Sequence, residues 1–512
     1  MVRFFAWALV ALLSSVRAAD YFVSPSGNDD DTGRTPGTAW RSVERVNRHL
    51  ANLGAQHGDR FLFRAGASFS GNLLVDRLAG GNVDHPVTFS SYGHGRATLA
   101  AGGGSGILVR DTPWITLSNL VLQAGRTNDG DGIRFDRVRT TTERVVGIRI
   151  LGCSARGFAW HGIMIDAAQR EHGFENVLIA DCETSHNRHA GIMVYGGNPT
   201  GRSHHPHHDV EIRNCRSSEN SGDPSEPSHH SGSGILIDGV DGGGIRGCIA
   251  WGNGTECRSE RGGPMGIWAH ASHRILIEGC ESFGNRTAWR DGGGFDLDGG
   301  CEDSEMRGNF SHDNDGPGFL VYTYSGAPYA DRNCRVTGNI SWGDGRRGSG
   351  YAGLQLGAED GCRISGLTVI GNYIFAPKGA VAAVRIEGHH IEAQIASNTV
   401  VDSPHCVLVS LGGFDHQVEF FRNRYWRPGG RSVFLINSKW PVASLDAWRS
   451  PTGEERRFRA HDEEFVDPGF KPQLPTRRFS TTSLPRWSVK AGGRGGGVFM
   501  GFGSNRFPIM LP

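Results

Sequence analysis

Two aspartates lie one residue apart in a stretch that otherwise holds glycine, phenylalanine and leucine. The stretch is GGGFDLDGG, residues 292–300, and the aspartates are Asp296 and Asp298. If the stretch is a β-strand, both carboxylates point to the same face, about 6.6 Å apart at the backbone. Crowded carboxylates raise at least one pKa, which separates an acid from a base as glycoside hydrolysis requires. The pair predicts acid–base catalysis; the alternative is an acidic face that keeps a sheet hydrated or holds Ca²⁺.

Short runs with a strand-like alternation recur along the chain, and each of them opens on glycine. They follow one another at intervals of 24 to 43 residues, which is typical of a solenoid with insertions. The runs are GILVR at 106, GIRFD at 132, GIMID at 162, GIMVY at 191, GILID at 234, GIWAH at 266, GFDLD at 294, GFLVY at 318 and GLQLG at 353.

Two further series run in phase with these strands. In the first series, a row of small residues ends the intervening runs: Cys153, Cys182, Cys215, Cys248, Cys280, Asn309 and Asn339. In the second series, a polar residue follows five positions later: Asn187, Asn220, Asn253, Asn285, Asn314 and Asp344. Stacked amides of this kind can satisfy turn backbone. Together the series predict parallel strands wound into a β-helix, with the cysteines inside as small buried hydrophobes.

With these ladders and the opening YFVSPSGNDDDTGRTPGTAWRSVERVNRHL, the chain resembles the right-handed parallel β-helix proteins of the pectate-lyase-like superfamily. The resemblance spans residues 20–430 and implies an all-β, right-handed parallel β-helix in a secreted carbohydrate-active enzyme. Within the opening, TPGTAWRSVERVNRHL is expected to form a short N-terminal helix that caps the first coil. Residues 431–512 lose the repeat, which predicts a C-terminal tail that packs on the helix.

The second and fourth residues of each Gly-led strand are expected to face outward and to form two columns flanked by long loops. A strip of carboxylates, imidazole and aromatic rings between loops is typical of a carbohydrate groove. We expect Asp296 and Asp298 to act as acid and base, with Asp238 or His270 tuning or replacing one of them. Their backbone separation favours an inverting reaction. The residues expected to bind substrate are Trp268, Tyr322, Tyr195, Arg134, Asp166 and Asp136.

Metal binding is expected to be secondary, and catalysis is expected to require no cofactor. Asp313 and Asp315 border the groove turn in SHDNDGPG, where either Ca²⁺ or substrate binding or plain turn capping fits them. The histidine pairs of the loops, such as those at 204–208 and 229–230, lack a fixed spacing and are weak evidence for zinc. Any bound ion is therefore expected to be Ca²⁺ on carboxylates.

The N-terminal segment predicts an exported protein, and the charge balance bears on its partners. Residues 1–19, with an early arginine, a short apolar run and small residues before Asp20, are typical of a cleaved signal peptide. The 53 basic and 53 acidic residues balance, which favours neither nucleic acid nor a membrane surface as a partner. Cys257, Cys301 and Cys406 lie outside the cysteine row, and a Cys257–Cys301 bridge is an open alternative.

Three functions compete at this stage: a glycoside hydrolase acting on a polysaccharide or oligosaccharide, a lyase or epimerase acting on a uronate polymer, and a non-catalytic binding helix. If the chain were one of the lyases of this superfamily, the resemblance implies that a Lys or Arg would act as its base. The first lysine in the chain is Lys378, beyond the groove strands, and Arg134 is the nearest arginine in the columns, five rungs from Asp298. An acidic strip also repels polyuronates unless Ca²⁺ bridges them. The motif set of polygalacturonases is not reproduced, so the sequence favours another kind of glycoside hydrolase.

Overall fold

The computed structural model describes residues 18–465, except 79, 169–170, 198, 200–203, 348–349, 378, 404–405, 414–415, 428–432, 437–439 and 450–457, together with 489–491 and 498–500. The predicted signal peptide therefore lies outside the described residues apart from its last two. Within the described part of the chain, no helix combines the length and the apolarity that a membrane span needs.

The chain winds through three long sheets in turn, and each turn adds one strand to each sheet. Neighbouring strands within these sheets are parallel, apart from the last pair of the first sheet. The chain is therefore a parallel β-helix, as the repeat predicted.

The first sheet contains the Gly-led strands of the sequence. Its strands, in stacking order, are Leu73–Asp76, Ile107–Arg110, Ile133–Asp136, Ile163–Asp166, Ile192–Tyr195, Ile235–Asp238, Met265–His270, Gly293–Asp298, Phe319–Thr323, Ala352–Ala358, Ala382–Gly388, Val407–Leu411, Phe434–Ile436 and Trp440–Val442.

The second sheet follows the first along each turn and has sixteen strands. They are Asp20–Val23, Arg60–Arg64, Val87–Tyr92, Ile115–Ser118, Val145–Leu151, Phe174–Ala180, His207–Arg213, Val240–Arg246, His273–Glu278, Glu305–Arg307, Asp331–Arg332, Arg335–Thr337, Ile364–Ile370, Ile391–Ala396, Gln417–Phe421 and Phe458–His461.

The third sheet completes each turn with short strands. They are Ser68–Ser70, Ala97–Ala101, Leu120–Ala124, Ser154–Arg156, Glu183–Ser185, Arg216–Ser218, Ile249–Trp251, Glu281–Phe283, Phe310–His312, Ile340–Trp342, Tyr373–Phe375, Thr399–Val401, Arg424–Trp426 and Glu464–Phe465. Outside the coils lie the 3₁₀ turn Pro36–Thr38, the helices Val43–Leu53 and Leu445–Arg449, and the antiparallel pair Val489–Ala491 and Val498–Met500.

One continuous apolar core fills the coils from Tyr21 to Ala460. The first and third residues of the Gly-led strands point into it, as at Phe295 and Leu297, which are fully buried. Phe295 also stacks on Phe319 of the next rung, with ring centroids 5.1 Å apart. Because side chains alternate along a strand, the second and fourth residues must face outward.

The predicted asparagine ladder is present, and the cysteine row continues into a second amide ladder that the sequence predicted only as far as Asn339. Asn253 donates from its amide to the oxygen of Asn285 at 3.0 Å and accepts from the amide of Asn220 at 2.8 Å. The ladder continues through Asn314 to Asp344. A second amide ladder runs from Asn309 through Asn339, Asn372, Asn398 and Asn423 to Glu463. Each ladder ties successive turns at a corner where backbone groups would otherwise be buried without partners.

All ten cysteines have free thiols, so the alternative of a Cys257–Cys301 bridge is wrong. The row from Cys153 to Cys280 is fully buried within the core, as predicted. Burial raises the pKa of the Cys153 thiol to about 11, which keeps this thiol protonated and unreactive.

Different elements stand at the two ends of the coil. The helix Val43–Leu53 begins at Ser42, whose hydroxyl accepts from the amide of Arg45, and Asn47 on this helix accepts from the amide of Leu74 in the first strand of the first sheet. That the helix caps the coil stays a prediction. At the other end, Phe458–His461 and Glu464–Phe465 still pair with the second and third sheets. The last described coil thus runs past residue 430, where the sequence placed the end of the helix domain.

Candidate active site

A cleft of about 710 Å³ lies over the outer face of the first sheet. Its floor consists of the strands from Ile192–Tyr195 to Ala382–Gly388, and loops that enter and leave these strands form its walls. Asp296 and Asp298 lie on the floor. The cleft therefore contains the stretch that carried the sequence-based hypothesis.

The register of the sheet brings four predicted residues into one column. Asp238 pairs with His270, His270 with Asp298, and Asp298 with Tyr322. Asp296 lies two residues earlier on the same strand as Asp298, beside them on the floor. The prediction that the fourth residues of the Gly-led strands share one outer face is confirmed. Below Asp238 the column continues through Tyr195, Asp166, Asp136 and Arg110.

Asp298 is half-buried and opens into the cleft. Burial raises the pKa of this carboxyl to about 7, the positive charge of His270 lowers it, and the charge of Asp291 raises it again. A carboxyl with a pKa near 7 exists in both protonation states at neutral pH. Asp298 can therefore act as a base or nucleophile once it is ionised.

Asp296 is only 3% exposed, although it lines the cleft. Burial and the charge of Asp298 raise the pKa of its carboxyl well above the ordinary value. Its Oδ1 atom is buried without a hydrogen-bond partner among the described residues. An unpartnered buried oxygen is costly in a folded protein, and a functional group awaiting a ligand is one reason for it. Burial therefore favours the protonated form of Asp296, which can act as a donor.

A hydrogen-bonded chain runs beside Asp298. The Nδ1 atom of His270 lies 2.6 Å from Oδ2 of Asp238, and its Nε2 atom lies 2.8 Å from the hydroxyl of Tyr324. Burial alone would lower the pKa of His270, but the hydrogen bond to Asp238 and the charges of Asp238 and Asp298 raise it above its ordinary value. His270 is therefore biased towards the imidazolium, with both of its nitrogens donating.

The glycines after Asp298 allow this chain to form. Gly299 has a φ of 26°, and a Cβ atom built on it would lie 2.5 Å from the ring of Tyr324. A larger residue would push Tyr324 away from His270. The run of glycines in FDLDGG thus serves the close packing of the site as well as the turn.

Two acidic residues of the site were missed by the sequence reasoning. Asp331 is fully buried and accepts from the amides of Gly300 and Cys301 at 2.9 and 2.6 Å, and its Oδ2 has no hydrogen-bond partner within the described part of the chain. Burial and the charge of Asp298 raise its pKa well above the ordinary value. Asp331 comes from the next turn, in a second-sheet strand without the repeat pattern, so no spacing signal pointed to it.

The other missed carboxylate, Asp291, stands on the wall of the cleft. Its Oδ2 accepts from the amide of Gly263 at 2.6 Å, and its Oδ1 accepts from the hydroxyl of Tyr351 at 3.2 Å. Burial raises the pKa of this carboxyl. Its position directly before the Gly-rich strand, in the loop AWRDGGG, was the available signal.

Aromatic side chains surround the carboxylates, but not all of those predicted are accessible. Tyr195 and Tyr322 line the cleft. Trp268 also lines it, yet it is only 4% exposed, donates from its indole nitrogen to Ser233 at 3.2 Å and packs in a small apolar cluster. Trp268 therefore packs as part of the floor and exposes too little of its ring to serve as a stacking surface. The exposed indole of the cleft is Trp289, which is 57% exposed at the rim.

Three residues predicted to bind substrate lie outside the cleft lining. Arg134 contacts Asp166 and lies 3.8 Å from Asp136. It also donates to Asp131 at 3.0 Å. These groups form an ion-pair network further along the first sheet, and their substrate role stays a prediction.

The carboxylates predicted to hold calcium are paired with cations. Asp313 lies 2.9 Å from His312 and 2.7 Å from Arg346, and Asp315 lies 3.1 Å from Arg286. Among the described residues no group of three or more His, Cys, Asp or Glu side chains is arranged to hold a metal ion. The pairing with cations favours turn capping over calcium binding. Calcium binding at Asp313 and Asp315 stays a prediction.

The cleft contains arginines that the sequence reasoning did not place there. Arg261 and Arg290 reach it from the wall loops, and Arg385 lies on its floor. Arg385 is in the same column as Asp296, three rungs along. Arg385 is therefore nearer to the Asp296–Asp298 strand than Arg134 is, because the strands from Ala352–Ala358 onward also contribute to the cleft.

Comparison with known proteins supports the fold. A family model described as a right handed beta helix region matches residues 131–366. The solved structure of a lacto-N-biosidase from Eubacterium ramulus is 15% identical, covers 87% of this chain and 68% of that chain, and has a TM-score of 0.53. The A-module of a mannuronan C-5 epimerase from Azotobacter vinelandii is 13% identical, with 77% and 94% covered and a TM-score of 0.47. The expected resemblance to right-handed parallel β-helix proteins is confirmed.

A curated relative matches part of the chain. A lacto-N-biosidase from Bifidobacterium longum subsp. longum is 25% identical in an alignment of 219 residues that covers 35% of this chain and 13% of the relative. The chain therefore spans about an eighth of the length of the curated relative that it matches.

Proposed function

We propose that this protein is a glycoside hydrolase that cleaves an oligosaccharide or polysaccharide in the cleft over the first sheet. The observation that carries the proposal is the pair Asp296 and Asp298, two adjacent carboxyls with unequal surroundings in one cleft. Burial and the charge of Asp298 raise the pKa of Asp296, which favours a protonated Asp296 beside an ionised Asp298. Carboxyls with separated pKa values are what acid–base cleavage of a glycosidic bond requires.

In this mechanism the proton of Asp296 goes to the glycosidic oxygen as the bond to the anomeric carbon breaks. Ionised Asp298 supplies negative charge at the anomeric carbon or takes a proton from the attacking water. The positive charge of His270 lowers the pKa of Asp298 and so increases its ionised fraction near neutral pH. His270 itself acts through Asp298, and Asp238 positions it.

Tyr324 supplies a directed donor in the same mechanism. When both nitrogens of His270 donate, the hydroxyl oxygen of Tyr324 accepts from Nε2 and its own proton is free to point into the cleft. Burial and the charges of the surrounding aspartates raise the pKa of Tyr324, so the hydroxyl stays protonated. Tyr324 can therefore donate to a sugar oxygen or to Asp298.

Asp291 is a second candidate for the acid. It stands on the wall while Asp298 lies on the floor, so the two could flank a bond from different sides, as hydrolysing carboxyl pairs do. The backbone separation of Asp296 and Asp298 favours inversion, but the stereochemical outcome depends on which acid is used. Variants of both acids separate these cases.

The comparisons support a carbohydrate substrate. Both the curated relative and one structural neighbour are named lacto-N-biosidases, a name that denotes a glycosidase. The exposed Trp289 and the cleft tyrosines offer faces on which sugar rings can stack. A neutral oligosaccharide is the expected substrate, because a cluster of carboxylates repels uronates.

The test is a substrate screen with matched variants. The purified protein is incubated with neutral and acidic oligosaccharides, including a chromogenic lacto-N-bioside, and new reducing ends are measured. Asp298→Asn is expected to lower the rate at least about a hundredfold, because it removes the ionisable carboxyl. If Asp296 is the acid, Asp296→Asn is expected to lower the rate by a similar factor. If Asp291 is the acid, Asp291→Asn is expected to do so instead.

Asp84→Asn is the control, since Asp84 is exposed in a loop between the first and second sheets and lies outside the cleft lining. Wild-type-like activity in folded Asp298→Asn protein would contradict the assignment. Proton NMR of the first product, as α or β anomer, reports inversion or retention.

A lyase or epimerase acting on a uronate polymer is the second candidate, because Arg261 and Arg290 at the cleft wall could neutralise a uronate carboxylate. Ultraviolet absorbance of an unsaturated uronate would identify the lyase. Carboxylate acid–base catalysis requires no metal, so hydrolysis is expected to survive chelation by EDTA. Loss of activity with EDTA and its return with Ca²⁺ would instead favour the calcium-bridged alternative.

A further inference from the structure

A second exposed tryptophan stands on the same edge of the first sheet as the cleft wall. Among the described residues the large apolar side chains that are exposed include only two tryptophans, Trp160 and Trp289. Both lie in loops that lead from a third-sheet strand into a first-sheet strand, Trp160 before Ile163–Asp166 and Trp289 before Gly293–Asp298. They therefore face the same side of the groove.

The indole of Trp160 is held in place by its neighbours. Its ring stacks on the imidazole of His189, with centroids 4.4 Å apart and an interplanar angle of 21°. Its backbone amide donates to Gly130 on the preceding turn at 3.2 Å, and its carbonyl accepts from the amide of His189 on the following turn at 3.0 Å. A ring that is 46% exposed and already oriented loses little freedom when a ligand stacks on it.

The groups around Trp160 carry little unpaired charge. The imidazole of His161, the residue after Trp160, lies 2.8 Å from the buried carboxylate of Asp131. Arg134 forms an ion pair with the same carboxylate at 3.0 Å. Burial lowers the pKa of His189 to about 4, so its ring is neutral near neutral pH. A neutral imidazole has one donor and one acceptor nitrogen. An aromatic face beside neutral hydrogen-bonding groups suits an uncharged sugar better than a uronate.

The groups beside Trp160 are near enough to the cleft wall to act electrostatically on His230. His230 lines the cleft and packs edge-on against Trp268, with ring centroids 4.9 Å apart. Besides burial, the charges that lower the pKa of His230 include those of His270, His189 and His161. The His230 loop thus lies at the cleft and within electrostatic range of His189, on which Trp160 stacks.

We propose that Trp160 and His189 form a distal subsite that binds the far part of the same neutral glycan chain whose scissile bond lies in the cleft. The strand after Trp160 is four rungs from the strand after Trp289, or about 19 Å at the spacing of parallel strands. Only a chain long enough to pass the His230 loop would reach it. This inference rests on the proposed function and adds a preference for long substrates.

Binding is measured by calorimetry in the Asp298→Asn background, with a homologous series from disaccharide to octasaccharide of a glycan that the wild type cleaves. Trp160→Ala is expected to weaken binding of the longest member about tenfold more than that of the disaccharide, the size expected for loss of one aromatic stack. Trp160→Phe, which keeps an aromatic face, is expected to recover part of the loss. Ile370→Ala, an exposed residue on the second sheet, is the control and is expected to leave every affinity unchanged.

An equal effect of Trp160→Ala on all chain lengths would overturn the distal subsite, and so would no effect on any length. Either result leaves the hydrolase assignment standing if the wild type cleaves these glycans. If the wild type neither binds nor cleaves any glycan, the proposed function fails and the subsite fails with it.

Discussion

At the scale of single residues, the charge of His270 on the strand next to Asp298 makes the pH dependence informative. Hydrolysis needs ionised Asp298, whose pKa burial raises to about 7, so kcat/KM is expected to rise with pH through about 7 on the acidic side. The positive charge of His270 lowers this pKa. Removing that charge therefore raises the pKa of Asp298 and moves the acidic limb to higher pH.

His270→Gln is thus expected to shift the acidic limb of the kcat/KM profile towards higher pH. Tyr324→Phe is the matched control, because it breaks the 2.8 Å contact with His270 but keeps the positive charge. It is expected to lower kcat while the acidic limb stays in place. A limb that does not move in folded His270→Gln protein would show that another group controls it.

At the scale of elements, the amide ladders explain why turns of different length stay in register. Loops between the sheets vary in length, yet Asn220, Asn253 and Asn285 remain bonded one above another. Their amides are buried at a corner of the coil and satisfy both one another and the turn backbone. The strands that carry the cleft residues depend on this register, because a slip by one residue would turn Asp298 inward.

Asn253→Ala is expected to lower the free energy of unfolding by at least about 2 kcal/mol, because it leaves the buried backbone and side-chain N–H donors of Asn220 without their acceptor. The measurement is denaturant unfolding followed by circular dichroism. Gln123→Ala removes an amide at an exposed position of the third sheet and is expected to change the unfolding midpoint little. Equal midpoints for the two variants would contradict a stabilising ladder.

At the scale of the whole molecule, a strand follows directly on residues 1–19, the predicted signal peptide. Asp20–Val23 is the first strand of the second sheet, and Asp20 pairs with Arg60 at 2.5 Å. A protein exported by its own host is expected to start at Asp20, because cleavage there leaves the first strand intact. Mass spectrometry of the intact exported protein checks this, and a mass that includes residues 1–19 would contradict both cleavage and the predicted route.

Much of the fold followed from the sequence because a solenoid repeats the same local solution. The Gly-led strands, the inward cysteines and the ladder from Asn187 to Asp344 all lie at fixed intervals, so their neighbours in space could be deduced from spacing alone. The outward column through Asp238, His270 and Asp298 followed from strand alternation for the same reason. The last coil did not follow, since its strands Phe458–His461 and Glu464–Phe465 lack the Gly-led pattern.

The chemistry of the site required the tertiary structure. Nothing in the spacing of Asp331 or Tyr324 relates them to Asp298, because they come from a second-sheet strand and from a strand end on the next turn. The burial that raises the pKa values of Asp296 and Asp298, and that leaves Trp268 only 4% exposed, depends on how the wall loops fold over the floor. The sequence determined which residues share the outer face, since that is a local periodicity. Only the folded loops decided which of them are desolvated, paired or exposed, because those properties come from long-range contacts.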